Sequence, residues 1–131
     1  MDSGVQSPVR EAAVHTRDAQ NALPDHWGVY GVKPLTRLSP FKIDVATGKY
    51  LQGLNRDVAC EGPARPLTLP GQSCDEYPPA ATYEGAYFVG LSRTSQRAIN
   101  AGQNSLAGSY MSAFFALNRV IDGDPFYIFV I

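Results

Sequence analysis

The chain has 131 residues, a formal net charge of −1, 44% hydrophobic residues and 18% charged residues. That length suits one domain with a modest core. The near-neutral balance excludes a strongly basic nucleic-acid coat, and no apolar run approaches the roughly 20 residues of a membrane-spanning helix.

Residues 1–26 read as an N-terminal helical appendage or linker, and residues 27–131 as the main domain. Pro8 to Leu23 has helical spacing, with Val9, Ala12, Ala13, Ala19 and Leu23 as an apolar stripe. Ser7 before Pro8 suits an N-cap with a first-turn proline, and Pro24 stops the helix. His15 is expected to be solvated on this surface helix, and His26 beside Trp27 to make a packing or turn contact. Met1-Asp2-Ser3-Gly4 lacks the basic and apolar regions of a signal peptide, so an export signal is absent or has been removed.

Phe41 to Val45 alternates apolar and polar residues like a half-buried strand, and Thr47-Gly48 marks a turn. Residues 51–73 are expected to be mostly loop, punctuated by Pro63, Pro66, Pro70 and Gly71. Ala86 to Leu91 predicts a strand and Asn104 to Leu117 a helix whose stripe of Leu106, Tyr110, Met111, Phe114 and Leu117 is mostly core. Phe126 to Ile131 predicts a strand buried on both faces. The fold class is α+β: a small single domain with an antiparallel sheet and a strand-strand-helix arrangement.

Cys60 and Cys74 are the only cysteines. In a turn-rich chain kept in an oxidising place they read as one disulfide, worth about 3 kcal/mol for a loop of this length. The alternative is two reduced, half-buried thiols. With no histidine nearby, the pair does not make a zinc ligand set.

Cys74-Asp75-Glu76-Tyr77-Pro78, with Glu84-Gly85 after it, is the most informative stretch. The residue before a proline is pushed towards extended geometry, so Tyr77 is expected to end a strand and hold its neighbours in a fixed display. Two carboxylates held there point to metal-assisted or acid/base chemistry. The plainer readings are loop carboxylates capping amides for Asp75 and Glu76, turn chemistry for Glu84, and a helix N-cap for Asn104. Arg93, Arg97 and Arg119 form a candidate basic patch, or else solvated surface. Asp122 and Asp124 flank Gly123 in a loop too short for an EF-hand, so a turn is expected there. Tyr77, Tyr83 and Tyr87 suit base stacking or core packing equally.

Taken in order, these segments resemble the NucA/NucB family of secreted, non-specific deoxyribonucleases, especially its actinobacterial and toxin-domain members. The resemblance rests on Pro34-Leu35-Thr36-Arg37, Asn55-Arg56 leading to Ala59-Cys60, the Cys74 to Pro78 motif, Glu84-Gly85, and Gln103-Asn104 leading to Gly108. Met111 to Phe114 and Asn118 to Phe126 complete it, so it covers roughly residues 34–131. It implies a compact relative of the ββα-metal nucleases with one divalent ion, Mg²⁺ or Mn²⁺. Asp75 would then act as, or orient, the general base. Asn104 would be a metal ligand, Glu84 would bind the ion or fix its waters, and Glu76 would do the same or support Asp75. Two departures stand out. Tyr110 occupies a helix position where many members carry glutamine or lysine, and Pro79 replaces a large apolar residue.

The function implied is metal-dependent endonucleolytic hydrolysis of DNA by a monomer with little sequence preference. RNA is not excluded as a substrate. The protein would be secreted or delivered outside the producing cell, and as a toxin domain it would have a cognate immunity protein, acidic and covering the site. The polar, signal-less start favours a toxin domain cut from a longer chain. The alternative is a catalytically weakened module that grips nucleic acid or a protein.

Overall fold

A computed structural model describes all of residues 1–131. The first helix, α1 (Arg10–Ala22), forms where the alanine-rich stripe predicts it. The Ser7 hydroxyl accepts the Val9 amide at 3.2 Å just before the helix begins, and Leu23 is extended ahead of Pro24. Residues 1–26 are not an appendage in space. Ala12, Ala13 and Ala19 are buried, and Ala19, Leu23 and Trp27 belong to one core cluster with Leu35, Tyr77, Phe115, Val120 and Phe126. Small side chains let the helix approach its neighbours closely, and that approach turns a weak stripe into a core face.

Leu35–Thr36 (β1) pairs antiparallel with Pro125–Phe126 (β4). The strand expected over Phe41 to Val45 is reduced to one bridge between Ile43 and Tyr50, around a turn in which the Gly48 amide donates to Asp44. Its alternation finds no sheet to join, and Phe41 and Val45 stay exposed. Residues 51–73, expected as loop, begin with helix α2 (Leu51–Cys60), since the run of prolines starts only at Pro63. This helix buries Ala59 and Asn55. Asn55 acts as a polar staple: its amide donates to the Ala80 and Thr82 carbonyls at 2.9 and 3.1 Å and accepts the Tyr87 amide at 3.0 Å. Gly85 is needed there, because a Cβ would collide with the Asn55 side chain.

The second ribbon pairs β2 (Gln72–Tyr77) with β3 (Ser95–Asn100), antiparallel, with Asp75 opposite Arg97 and Tyr77 opposite Ser95. Tyr77 does end a strand, and its bond to Pro78 is cis. The strand expected at Ala86 to Leu91 is instead a short helix, α3 (Ala86–Val89), and a 3₁₀ turn at Leu91–Arg93, separated by Gly90 at φ 88°. The Asn55 side chain accepts the Tyr87 amide in the first turn of α3, and β3 falls in the more polar stretch that follows.

The chain passes straight from β3 into α4 (Ala101–Leu117), giving the strand-strand-helix order expected of the fold class. Asn100, not Asn104, is the N-cap, accepting the Gln103 amide at 2.9 Å. The core side of α4 is Phe115 with Met111, whereas Tyr110, Phe114 and Leu117 are exposed, so the expected stripe is rotated. The final segment is strand only at Pro125–Phe126; Phe129 and Ile131 are exposed instead of doubly buried. Beyond β4 the backbone bonds to irregular segments, Ile128 to Gly28 and Ile131 to Met1. The result is a small single α+β domain of four helices and two short antiparallel ribbons.

Candidate active site

Side chains alternate across a strand, so the β2–β3 ribbon presents two different faces. Asp75 and Tyr77 share one with Ser95 and Arg97; Cys74 and Glu76 share the other. Helix α1 covers the first face and meets each of its four polar groups. His15 bonds Asp75 and Ser95, Asp18 accepts from Arg97 at 2.9 Å, and Gln20 donates to the Tyr77 hydroxyl at 3.1 Å. Helix α2 stands against the second face and is tied to it by the Cys60–Cys74 disulfide, which spans 14 residues.

A cleft of about 690 Å³ opens beside the ribbon and is lined by Asp75, Glu76, Asn104, Arg37, Arg56 and Gln52, among others. The Asp75 side chain is 19% exposed there. Its Oδ2 lies 2.7 Å from His15 Nδ1, and His15 Nε2 lies 2.9 Å from the Ser95 hydroxyl. An ionised carboxylate only accepts hydrogen bonds, so Nδ1 carries the proton that points at Asp75. His15 is fully buried, which overturns its expected place on a solvated surface. His26 makes the turn contact expected of it, its Nδ1 lying 2.7 Å from the Gln20 carbonyl oxygen.

Glu76, one residue on, is in a different environment. Burial pushes its carboxyl up to about 7, with the Asp75 charge adding and Arg56 opposing. Its Oε2 lies 3.6 Å from the Cys60 sulfur, a packing contact, since a disulfide sulfur has no proton to donate.

Asn104 reaches back from α4 to β2. Its amide nitrogen donates to the Ser73 hydroxyl at 2.9 Å and the Cys74 carbonyl at 3.1 Å. Because a carbonyl only accepts, the nitrogen must face it. That leaves Oδ1 as the half of the amide with no protein partner.

The other residues singled out in the sequence lie elsewhere. Glu84 is buried and does not line the cleft; its two oxygens accept from the Thr36 amide and hydroxyl, each at 2.6 Å. Arg93 grips Asp25 at 2.7 and 3.1 Å, raising its own pKa and lowering that of Asp25. Arg97 is paired with Asp18, and Arg119 is exposed at φ 52° in the turn after α4. Asp122 accepts from the distant Ser39 amide and Tyr83 hydroxyl, and Asp124 from the Ile121 amide within the expected turn. Tyr77 is core, its hydroxyl donating to the Trp27 carbonyl at 2.6 Å. Pro79 lines the cleft, while Tyr110 lines a separate apolar groove with Phe114, Tyr127 and Phe129.

Two cleft cations went unnoticed in the sequence. Arg37 stacks on Phe115, with Cζ 4.8 Å from the ring centroid, and donates to the Val120 carbonyl; its buried Nε has no partner. Arg56 is exposed on α2 beside Glu76. Both stand in segments that carry the family resemblance, and that was the available signal. His15 had none, since its partners are 60 and 80 residues away.

No group of three or more His, Cys, Asp or Glu side chains converges to cage a metal. What the cleft offers instead is oxygen chemistry, from Asp75, the neighbouring Glu76 carboxyl and the Asn104 amide oxygen. Such a sparse set suits a hydrated Mg²⁺ or Mn²⁺, which keeps several waters and shares the substrate phosphate. No helix is long and apolar enough to cross a membrane.

A comparison with curated proteins returned no match. The family model described as Deoxyribonuclease NucA/NucB matches residues 35–129, which include Asp75, Glu76, Asn104, Arg37 and Arg56. By that match over most of its length, the chain belongs to the NucA/NucB deoxyribonuclease family.

Proposed function

We propose that this member is a metal-dependent endonuclease that hydrolyses DNA phosphodiesters with little sequence preference. The observation that carries the reading is the placement of Asp75: a carboxylate held at Oδ2 by His15, in a cleft also lined by Asn104, whose amide oxygen has no protein partner, and by two arginines. Asp75 accepts the proton of the attacking water through its remaining oxygen. Arg37 and Arg56 hold the phosphate and spread its charge. Phosphate contacts carry no base information, which accounts for weak sequence preference. Asn104 Oδ1 and the Glu76 carboxyl are the groups that would hold Mg²⁺ or Mn²⁺, which when bound would polarise the phosphate and stabilise the departing oxyanion. Glu84 contributes by pinning Thr36, the residue before Arg37.

The setting proposed is outside the producing cell, as a secreted nuclease or a delivered toxin domain with an acidic immunity protein. The disulfide supports an oxidising compartment.

Plasmid cleavage with Mg²⁺, Mn²⁺ or EDTA, beside an Asp75→Asn variant, tests the reading. Nicking that needs metal and falls at least about 100-fold in the variant is the expected result. Intact plasmid under every metal, from a folded protein, would leave a binding module on a nuclease fold.

A further inference from the structure

The proposed base does not stand alone, and what holds it comes from outside the family-matched region. His15 lies on α1, well before residue 35, where the match begins. Its ring is fully buried and both nitrogens are engaged, one by Asp75 and the other by Ser95. A ring so enclosed cannot touch DNA or exchange protons with it. What it can do is select one orientation of the Asp75 carboxylate. Without a partner at Oδ2, that group would sample rotations about its two side-chain torsions and present either oxygen to the cleft. The hydrogen bond to an ionised carboxylate is charge-assisted and, in a buried setting, stronger than in water.

The helix that carries His15 is itself fastened along its length. The Gln103 side chain accepts the Glu11 amide at 2.8 Å, Asp18 accepts from Arg97 at 2.9 Å, and Gln20 donates to the Tyr77 hydroxyl and the Ile128 carbonyl at 3.1 and 2.9 Å. These contacts hold the imidazole against Asp75 Oδ2, and His15 itself does not line the cleft, although Ala12 and Thr16 of the same helix do. Ser95, on the paired strand, fixes the far ring nitrogen and so the ring plane.

We infer that His15 is a positioning residue for Asp75, held in turn by Ser95, and that α1 is an integral part of the nuclease site. This rests on the reading of Asp75 as the base. The test compares full-length wild type, Asp75→Asn, His15→Ala, His15→Asn, His15→Gln and Ser95→Ala at saturating Mg²⁺. The assay is steady-state cleavage of a labelled duplex, with unfolding midpoints followed by the fluorescence of Trp27, the single tryptophan. The asparagine amide nitrogen falls near the place of Nδ1, whereas that of glutamine falls near Nε2. His15→Ala and His15→Gln should therefore lose about 10- to 100-fold in kcat, with KM little changed, because no DNA contact is removed. His15→Asn should recover most of that loss despite being destabilised, and Ser95→Ala should show a smaller fall in kcat.

A His15→Ala kcat within twofold of wild type, with Asp75→Asn inactive, would overturn the inference and leave the nuclease reading standing. Equal losses in the asparagine and glutamine variants, tracking their stabilities, would reduce His15 to a packing residue and overturn it too. Asp75→Asn cleaving like wild type would instead remove the proposed base, and the inference with it.

Discussion

The two faces of the β2 strand solve the same problem, holding a carboxylate at the edge of a cleft, by opposite means. On the face under α1, Asp75 is bonded through Oδ2 by His15, and every polar residue across the ladder has a partner on the helix. On the face under α2, Glu76 packs on a disulfide sulfur with the Ala80 amide and Arg56 nearby, and burial lifts its carboxyl to about 7. Adjacent residues of nearly identical chemistry are thus given different partners and burial by what packs on them. One face is tied by hydrogen bonds; the other is tied covalently.

The disulfide is where that contrast can be broken most forcefully. Replacing Cys60 and Cys74 together by serine removes the cross-link over 14 residues and is expected to cost about 3 kcal/mol of stability on the chain-entropy model. The bonds from Asp75 through His15 to Ser95 do not pass through that link. Cleavage per folded molecule should therefore stay close to wild type while the unfolding midpoint falls; a loss of kcat matching that of Asp75→Asn would mean the two faces are not independent.

The state of Glu76 sharpens the contrast through pH. Its folded value of about 7 stands above the ordinary 4.5, so between those values the folded protein keeps a proton that the unfolded chain has released. Stability from this group is complete below about 4.5 and is lost as pH rises through 7. At 1.36 kcal/mol per pKa unit the loss approaches about 3 kcal/mol. Glu76→Gln keeps the neutral shape at every pH. In EDTA, the unfolding free energy of the variant relative to wild type should rise by roughly that amount from pH 5 to pH 8. A difference that stays flat with pH would show that Glu76 is ionised in the folded protein throughout.

How much of this was legible in the sequence depended on range. The helix of residues 10–22 shows a 3.6-residue apolar pattern and the end of β2 is marked by Pro78, so local rules found them, whereas the helix of residues 101–117 carries apolar residues on all sides. Asp75 and Asn104 were found through a motif and do line one cleft. Helix α2 was masked by prolines that begin only after it ends. Ala86 to Val89 reads as a strand because it is apolar, whereas the first turn of α3 is held by Asn55, a residue far upstream. The stripe of α4 looked like core because nothing local says that Tyr110, Phe114 and Leu117 face outward while Phe115 faces in. His15 was the most consequential case: a histidine on an alanine-rich helix is ordinary until the helix is laid on β2. Polar groups that meet only in the folded chain leave no trace in spacing.

The arginines give the smallest effect and the finest discrimination. Arg97 stood out in the sequence because it is basic and lies near the motif, yet its guanidinium is paired with Asp18 on the α1 face. Arg56 appears in the sequence only within a family segment, with no role of its own, yet it lines the cleft on the α2 side. The Arg97–Asp18 pair is about two-fifths exposed at each end, so its loss should cost at most about 1 kcal/mol. DNA affinity measured for the Asp75→Asn protein over a salt series separates the two arginines. An Arg56→Ala change on that background should reduce the salt slope by about one, the signature of one lost phosphate contact, and Arg97→Ala should leave it unchanged. The reverse pattern would place the DNA across the α1 face, against the cleft that Asp75 opens into.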